Sequence, residues 1–332
     1  MKWIFVFVAI ALFFDFLNGL HDSSNVVATI ISSRALGPRK ALLLAAAAEF
    51  CGPFIFGVAV AETIGQGIVP PSSVTFSVIL VALLSAIAWN LFTWFLGLPS
   101  SSSHALIGGI LGAVGAAYGP EVVHMDSLFK VFIILFGSPI VGLVAGYLLM
   151  KAVLFLARNA SLRVNLFFKR AQLLTSLALA LSHGTNDSQK TMGIITMALV
   201  ASGYLPNFFV PFWVIATCAA AISLGTFMGG WRIIRTLGTK IYRVRPVHGF
   251  TVQTASAGII LGAALMGGPV STTQVVSSAI MGAGSAERVS KVRWNVATNI
   301  FIAWVVTIPA TSLLAALLYI LTPFIRSRWQ FL

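Results

Sequence analysis

Apolar runs long enough to cross a membrane recur along the whole chain, and they restrict the fold more than any other feature. Runs of about 20 residues or more, the length a helix needs to cross ~30 Å of hydrocarbon, occupy residues 41–64, 74–96, 128–157, 209–229 and 296–325. Charged residues make up 9% of the chain, against roughly 25% in ordinary soluble domains. The sequence therefore predicts an all-α polytopic membrane protein.

The N-terminal stretch has the outline of a signal peptide, because Lys2 precedes the apolar residues 3–14. A signal peptide would continue into a cleavage site of small residues, whereas Asp15, Asn18 and a polar cluster at 21–25 follow here. We therefore expect this stretch to be the first membrane span.

The net charge of +13 is concentrated between the apolar runs. Sixteen of the 21 Lys and Arg residues fall at 34–40, 151–170, 232–245 and 288–293, and none falls at 65–73, 119–127 or 204–208. Basic loops of membrane proteins lie in the cytoplasm. The charge therefore indicates orientation in a cytoplasmic membrane, and it gives no reason to expect a nucleic-acid partner.

Two polar motifs occur twice, in the same order. Residues 19–25 resemble residues 184–190 at an offset of 165, and residues 99–104 resemble residues 269–274 at an offset of 170. Two matches at nearly the same offset indicate a tandem duplication. We predict a first transmembrane repeat at 1–160 and a second at 161–332.

The basic loops also predict the direction of each segment. With those loops inside, the five segments of the first half run inward, outward, inward, outward and inward, and those of the second half run the opposite way. The repeats are therefore expected to be inverted, with both termini outside. Inverted repeats are typical of secondary transporters, which bind substrate near the midplane. The short, Gly-rich segments 104–118 and 270–284 are candidate re-entrant or broken helices.

The first motif places carboxylates within apolar stretches. Asp22 and Asp187 occupy equivalent positions, and a charge at the centre of a membrane helix costs at least ~2.5 kcal/mol unless it is offset. We predict that both bind a coupling ion, together with Glu49 in the middle of run 41–64. A structural ion pair between Asp187 and Lys190 is the alternative. Gly19 and Gly184 are expected to let the two helices unwind.

The second motif places hydroxyl groups after a proline. Pro99 and Pro269 are expected to interrupt a helix, and the hydroxyls then stand at the N-terminal end of the next one: Ser101, Ser102, Ser103, Ser271, Thr272 and Thr273. Hydroxyls beside free N–H groups at a positive helix end form an anion site. Ordinary N-capping is the alternative.

The paired motifs resemble those of the inorganic phosphate transporter family, whose signature is Gly-Ala-Asn-Asp-x-x-Asn. Here the two copies read Gly-Leu-His-Asp-Ser-Ser-Asn and Gly-Thr-Asn-Asp-Ser-Gln-Lys. The resemblance implies a dimeric symporter of phosphate with Na⁺ or H⁺, in which Asp22, Asn25, Asn186, Asp187 and Lys190 line the site with the hydroxyl clusters. His21 in place of Asn resembles the bacterial proton-coupled branch. Gln274 stands where His is frequent, so the pair formed by His104 and Gln274 is asymmetric.

We therefore predict a phosphate symporter that works by alternating access, with no cofactor beyond its coupling ion. The predicted substrate contacts are Asn25, Ser101, Ser102, Ser103, Asn186, Gln189, Lys190, Ser271, Thr272 and Thr273. A sulfate symporter is the nearest alternative. A membrane-embedded hydrolase is more remote, because duplication of the whole constellation argues against a single catalytic centre. A channel is also less favoured, because buried carboxylates paired with anion donors indicate occlusion and coupling more than conduction.

Overall fold

A computed structural model of the protein describes residues 2–67, 75–161 and 163–329. Within these ranges the chain is helical and has no strand. The helices are α1 (Lys2–Ser32), α2 (Pro38–Phe56), α3 (Ala59–Glu62), α4 (Phe76–Leu96), α5 (Ser102–Tyr118), α6 (Met125–Leu156), α7 (Val164–Ala201), α8 (Phe212–Met228), α9 (Trp231–Arg235), α10 (Pro246–Leu265), α11 (Thr272–Glu287) and α12 (Trp294–Trp329).

The two halves of the chain have the same order of elements. Each consists of a long helix, a helix that breaks near its end, a single helix, a short helix followed by a 3₁₀ turn, and a second long helix. In this order α1–α6 correspond to α7–α12. The domain boundary near residue 160 and the opposite directions of the halves stay predictions.

One helix break lies within the predicted run 41–64, and the other lies at the end of the predicted run 209–229. Helix α3 turns 76° away from α2, and α9 turns 60° away from α8. Each break follows a glycine with positive φ, Gly57 at 83° and Gly229 at 76°, which a residue with a side chain rarely adopts. The π-helical turns Thr63–Gly67 and Thr236–Lys240 continue the two short helices.

The expected unwinding of the polar motifs was wrong. Both α1 and α7 are continuous helices through their motifs. A side chain on Gly19 would collide with the backbone of Ile222 on α8, and one on Gly184 with the backbone of Glu49 on α2. These glycines therefore allow two helices to approach closely, as small residues do in membrane proteins.

Glycines rather than prolines end the helices before the hydroxyl clusters. Helix α4 stops at Leu96, before Gly97 at φ 68°, and α10 stops at Leu265, shortly before Gly267 at φ 71°. A left-handed glycine is a common way to end a helix. Pro99 and Pro269 lie in the extended connections to α5 and α11.

Each short helix packs against elements of the other half. Helix α5 contacts α12, and α11 contacts α6; likewise α1 contacts α8, and α7 contacts α2. One apolar cluster contains Phe7 to Leu17 of α1 and Met192 to Leu199 of α7, and a second contains Val26 to Ile30 of α1. The polar motifs lie between these clusters, so the fold buries them in the interior of the helix bundle.

Among the described residues, four helices are long and apolar enough to cross a membrane, or six if each bent pair forms one span. Helices α5 and α11 have only 17 and 16 residues, which gives about 25 Å at 1.5 Å per residue. Ten full passes, the number that the loop charges predict, therefore stay a prediction.

Candidate functional site

The N-termini of α5 and α11 are each capped by a serine. The Ser101 Oγ accepts a hydrogen bond from His104 N at 3.2 Å, and the Ser271 Oγ accepts one from Gln274 N at 3.4 Å. An N-cap hydroxyl satisfies one of the N–H groups that a helix start leaves unpaired. These two hydroxyls therefore act as ordinary N-caps, which is the alternative to an anion site that the sequence left open.

The next hydroxyl in each half reaches the carboxylate of the first motif. The Ser102 hydroxyl donates to Asp22 Oδ2 at 3.4 Å, and the Thr272 hydroxyl donates to Asp187 Oδ2 at 2.9 Å. All four residues are buried. The two sequence motifs therefore meet in space within each half, in an equivalent way.

The third hydroxyl joins one half to the other. Asn25 Nδ2 donates to Thr273 Oγ1 at 2.9 Å, and Thr273 Oγ1 donates to Asp22 Oδ1 at 2.9 Å. In the equivalent pair, Lys190 Nζ donates to Ser103 Oγ at 2.6 Å. Because each half supplies a hydroxyl to the other, the duplicated motifs form one cluster.

Lys190 has no N–H group left for a further ligand. Its ammonium donates to Ser103, to the carboxylate of Asp187 and, at 3.1 Å, to the carbonyl of Val270, and an ammonium has three donors. Only 2% of its surface is exposed. The alternative of an Asp187–Lys190 ion pair is therefore present in the structure.

His183 bridges two carboxylates, and the sequence reasoning did not single it out. Its Nδ1 is hydrogen-bonded to Glu49 Oε1 at 3.0 Å, and its Nε2 lies 3.0 Å from Asp187 Oδ2. The three residues are fully buried. The spacing of His183 and Asp187 by four residues places them on one helix face and was a usable signal, but the contact with Glu49 depends on how α2 packs against α7.

The two histidines that the sequence did single out are both buried and hydrogen-bonded. His21 Nδ1 lies 3.0 Å from Asp22 Oδ1, and its Nε2 lies 3.4 Å from Ser100 Oγ. His104 Nδ1 pairs with Ser101 Oγ at 2.6 Å. His104 Nε2 lies 3.4 Å from the amide nitrogen of Gln274, its partner at the repeat position.

Gln189 lies away from the hydroxyl cluster. Its Oε1 accepts hydrogen bonds from the N–H groups of Val60 at 2.7 Å and Ala61 at 3.2 Å, and its Nε2 donates to Gly57 O at 2.6 Å. The break between α2 and α3 leaves backbone groups without their usual helical partners; of the groups that Gln189 contacts, Ala61 N also donates to Val58 O at 3.0 Å. Gln189 therefore stabilises the broken helix, and its placement gives no support to the predicted substrate contact.

Several groups in the cluster are suited to bind a cation. Asp22, His183 and Asp187 each place a ligand atom within 4.8 Å of the others. Asn25 Oδ1, Asn186 Oδ1 and Glu49 Oε2 are buried and have no hydrogen-bond partner among the described residues. Asn186 uses only its Nδ2, which donates to Gly268 O at 3.2 Å. Oxygen-rich sites of this kind suit hard cations.

Asp15 is a further buried carboxylate that the sequence reasoning did not include. It lies on α1 two helix turns before Asp22, and both of its carboxylate oxygens are buried without a hydrogen-bond partner among the described residues. By the repeat offset of 165, its counterpart is Ala180, so the second half has no equivalent carboxylate. This part of the cluster is therefore asymmetric.

Two matches to one family model cover most of the chain. The model of the phosphate transporter family matches residues 18–164 and again residues 157–315. This chain belongs to the phosphate transporter family. The two matched ranges correspond to the two halves of this transporter, and membership confirms the prediction of a transport protein rather than an enzyme.

Named relatives and a solved structure agree with the family. A protein of Rhizobium meliloti (strain 1021), named a probable low-affinity inorganic phosphate transporter, is 48% identical over 94% of each chain. A Bacillus subtilis (strain 168) protein of the same name is 45% identical over 94% of this transporter and 95% of its own length. A structure titled the sodium-dependent phosphate transporter superposes with a TM-score of 0.88 at 26% identity, covering 98% of this transporter and 100% of that chain.

Proposed function

We propose that this protein is a secondary active symporter of inorganic phosphate, coupled to H⁺. One observation carries the proposal: the hydroxyl-bearing N-termini of α5 and α11 converge on the carboxylates Asp22 and Asp187. An anion site and a cation site thus share residues, which is the arrangement that symport needs. The names of the relatives support phosphate as the anion.

The helix N-termini supply the anion-binding groups. The first N–H groups of α5 and α11 have no partner within their helices, and the helix dipole is positive there. The hydroxyls of Ser102, Ser103, Thr272 and Thr273 stand beside those N–H groups. A tetrahedral oxyanion accepts hydrogen bonds from many donors at once, so it suits both helix ends together.

The buried acceptors favour phosphate over sulfate. Asn25 Oδ1 and Asn186 Oδ1 accept no hydrogen bond from any described residue, and a buried acceptor without a donor costs about 1–3 kcal/mol. Phosphate carries one or two protons near neutral pH and donates to such oxygens, whereas sulfate carries none. Sulfate has no proton to donate to these acceptors.

The histidine–carboxylate pairs favour H⁺ as the coupling ion. His21 contacts Asp22, and His183 lies between Glu49 and Asp187. Imidazole is the side chain that exchanges protons most readily near neutral pH. Coupling to Na⁺ is the alternative, since the solved relative is titled sodium-dependent.

The duplicated order of elements supports alternating access. The contacts between the halves are reciprocal, since α5 contacts α12 and α11 contacts α6. Inverted halves that contact each other in this way can adopt two equivalent arrangements, in which the site opens to opposite sides of the membrane. We propose that the protein lies in the cytoplasmic membrane with both termini outside, and that it forms a homodimer.

Uptake of radiolabelled phosphate into proteoliposomes tests the proposal. We expect an inward H⁺ gradient to accelerate uptake at least about tenfold, equivalent to ~1.4 kcal/mol; a Na⁺ gradient alone should not, and excess sulfate should not compete. Uptake that ignores both gradients would contradict symport. Uptake driven by Na⁺ alone would contradict H⁺ coupling, and strong competition by sulfate would contradict the assignment of the anion.

A further inference from the structure

The ammonium of Lys190 occupies a cage of oxygen atoms drawn from three elements. Its ligands are a carboxylate of Asp187 on its own helix, the hydroxyl of Ser103 on α5 at 2.6 Å, and the carbonyl of Val270 before α11 at 3.1 Å. A carboxylate, a hydroxyl and a backbone carbonyl together form the kind of set that binds an alkali cation in transporters. The cage holds a covalently attached positive charge in the place of such an ion.

The use of the three N–H groups distinguishes this lysine from one that binds an anion. An ammonium that attracts phosphate directly needs at least one donor aimed at the anion. All three donors of Lys190 end on protein oxygens, and the side chain is buried. All of its N–H donors are therefore used by protein groups, and none is left to bind an anion.

The repeat position in the first half is neutral. Asn25 stands where Lys190 stands in the second half, and its Nδ2 donates to Thr273 as Lys190 Nζ donates to Ser103. The remaining amide oxygen, Asn25 Oδ1, has no hydrogen-bond partner in the part of the chain that the structure describes. The first half thus keeps an uncharged oxygen ligand beside Asp22 where the second half has a fixed cation beside Asp187.

We propose that Lys190 is a tethered substitute for a coupling cation, which makes the second half of the site independent of Na⁺. The inference rests on the proposed symport function and specifies how the coupling ion is chosen. With the ammonium in place, Asp187 is neutralised in every transport cycle and no free ion binds there. Replacement of Lys190 by a neutral residue opens the cage and creates a binding site for Na⁺.

An ion pair that serves only stability predicts a different result. Removal of one partner of a buried pair leaves an uncompensated charge, and this loss does not depend on which cation is in solution. A cage that fits a cation recovers stability when Na⁺ enters it, by mass action. Rescue by Na⁺ therefore separates the two roles.

The experiment uses the purified protein and its Lys190→Asn variant, which copies the residue found at position 25. The melting temperature is measured in detergent with NaCl or choline chloride at equal ionic strength. We expect Na⁺ to raise the Tm of Lys190→Asn by about 3 °C or more and to leave that of the wild type unchanged. Lys151→Asn, which replaces an exposed lysine of α6, is the matched control and should behave as the wild type.

Two further variants separate the role of the cage from that of the side chain. Lys190→Gln, which keeps more of the side-chain length, should also gain stability from Na⁺. The double variant Asp187→Asn with Lys190→Asn should gain none, because it lacks the carboxylate ligand. If the single variants can be purified folded only in NaCl, that also supports the inference; misfolding in both salts overturns it.

Phosphate uptake provides the second readout. At a fixed pH gradient, external Na⁺ should stimulate uptake by Lys190→Asn at least about tenfold over choline, equivalent to ~1.4 kcal/mol, and that of the wild type less than about twofold. A folded Lys190→Asn protein whose Tm and uptake both ignore Na⁺ overturns the inference, as does a wild type that gains as much as the variant. Wild-type protein that takes up no phosphate under any gradient would refute the proposed function instead, while the melting experiment still decides the role of Lys190.

Discussion

Asp187 is the residue on which most of the cluster depends. Its carboxylate contacts His183, Lys190 and Thr272, which come from α7 and α11. Its counterpart Asp22 contacts Ser102, Thr273 and His21. Each carboxylate is thus surrounded by polar groups of the cluster, and its replacement by a neutral amide should affect transport before it affects folding.

We expect Asp22→Asn and Asp187→Asn each to abolish gradient-driven phosphate uptake, because Asp22 is an ionisable ligand of the proposed coupling site and Asp187 pairs with the Lys190 ammonium that takes the place of a cation. Both variants should still insert into the membrane, since Asn keeps the shape and one acceptor oxygen. Uptake into proteoliposomes and the yield of folded protein measure the two effects. Asp126→Asn, at the exposed start of α6, should behave as the wild type. Robust driven uptake by both site variants would contradict the coupling assignment.

The bridge formed by His183 predicts an energetic coupling to Glu49. Replacement of His183 by Gln leaves Glu49 and Asp187 facing each other without the imidazole between them, and removal of one partner of a buried pair costs about 3–5 kcal/mol. We expect the double variant with Glu49→Gln to be less destabilised than the sum of the two single variants, by about 0.5–3 kcal/mol. Denaturation of the purified proteins measures this. Additive losses would show that His183 packs beside the carboxylates without an energetic bridge.

At the scale of elements, neighbouring hydroxyls at the start of the short helices α5 and α11 have two different roles. Ser101 and Ser271 cap the helices, whereas Ser102 and Thr272 reach the carboxylates. We expect Ser102→Ala and Thr272→Ala to raise the apparent KM for phosphate several-fold, because each removes a donor beside the proposed anion.

Ser271, which caps α11, provides the comparison for these two substitutions. Ser271→Ala should lower stability by about 1 kcal/mol, the usual value of an N-cap, with a smaller effect on KM. Initial rates of uptake over a range of phosphate concentrations measure the first effect and thermal unfolding the second. An unchanged KM in Ser102→Ala and Thr272→Ala would assign those hydroxyls to structure alone.

The close contact between α2 and α7 depends on Gly184, which lies within a continuous helix and forms no turn. Helix α7 is continuous at Gly184, and an added methyl group would meet the backbone of Glu49. We expect Gly184→Ala to destabilise the protein by about 1–3 kcal/mol through overpacking. Gly262→Ala on α10, where an added methyl group meets nothing within 4 Å, should be neutral or stabilising by up to about 1 kcal/mol. Equal unfolding temperatures for the two variants would contradict the close-approach role.

At the scale of the whole molecule, the loop charges predict which loops face the cytoplasm. Glu121 and Asn207 lie in exposed loops without Lys or Arg, and Arg158 lies in the exposed basic connection between the halves. In a background without Cys51 and Cys218, a membrane-impermeant maleimide should label Glu121→Cys and Asn207→Cys in intact cells. It should label Arg158→Cys only after the cells are opened. Labelling of all three positions from outside would contradict the inverted topology.

The amino-acid sequence by itself determined the class of protein, its segments and its duplicated motifs. Long apolar runs with few charged residues favour a bundle of membrane helices, because a helix pairs its own backbone N–H and C=O groups within the lipid. The predicted segments agree with the helices to within several residues. The predicted segment 74–96 corresponds to α4, and segment 104–118 to α5. Such local signals survive without knowledge of the packing, because length and hydropathy are properties of each segment alone.

Only the tertiary structure decided what each polar side chain does. His183 and Gln189 lie on the same helix, yet one joins the carboxylate cluster and the other satisfies the break between α2 and α3. The identity of their partners depends on how α7 packs against α2, which is a long-range property. For the same reason Lys190, predicted from the motif as an anion ligand, is hydrogen-bonded to three protein oxygens. Two of them lie far away in sequence: the Ser103 hydroxyl, 87 residues away, comes from the other half, and the Val270 carbonyl, 80 residues away, comes from the connection before α11.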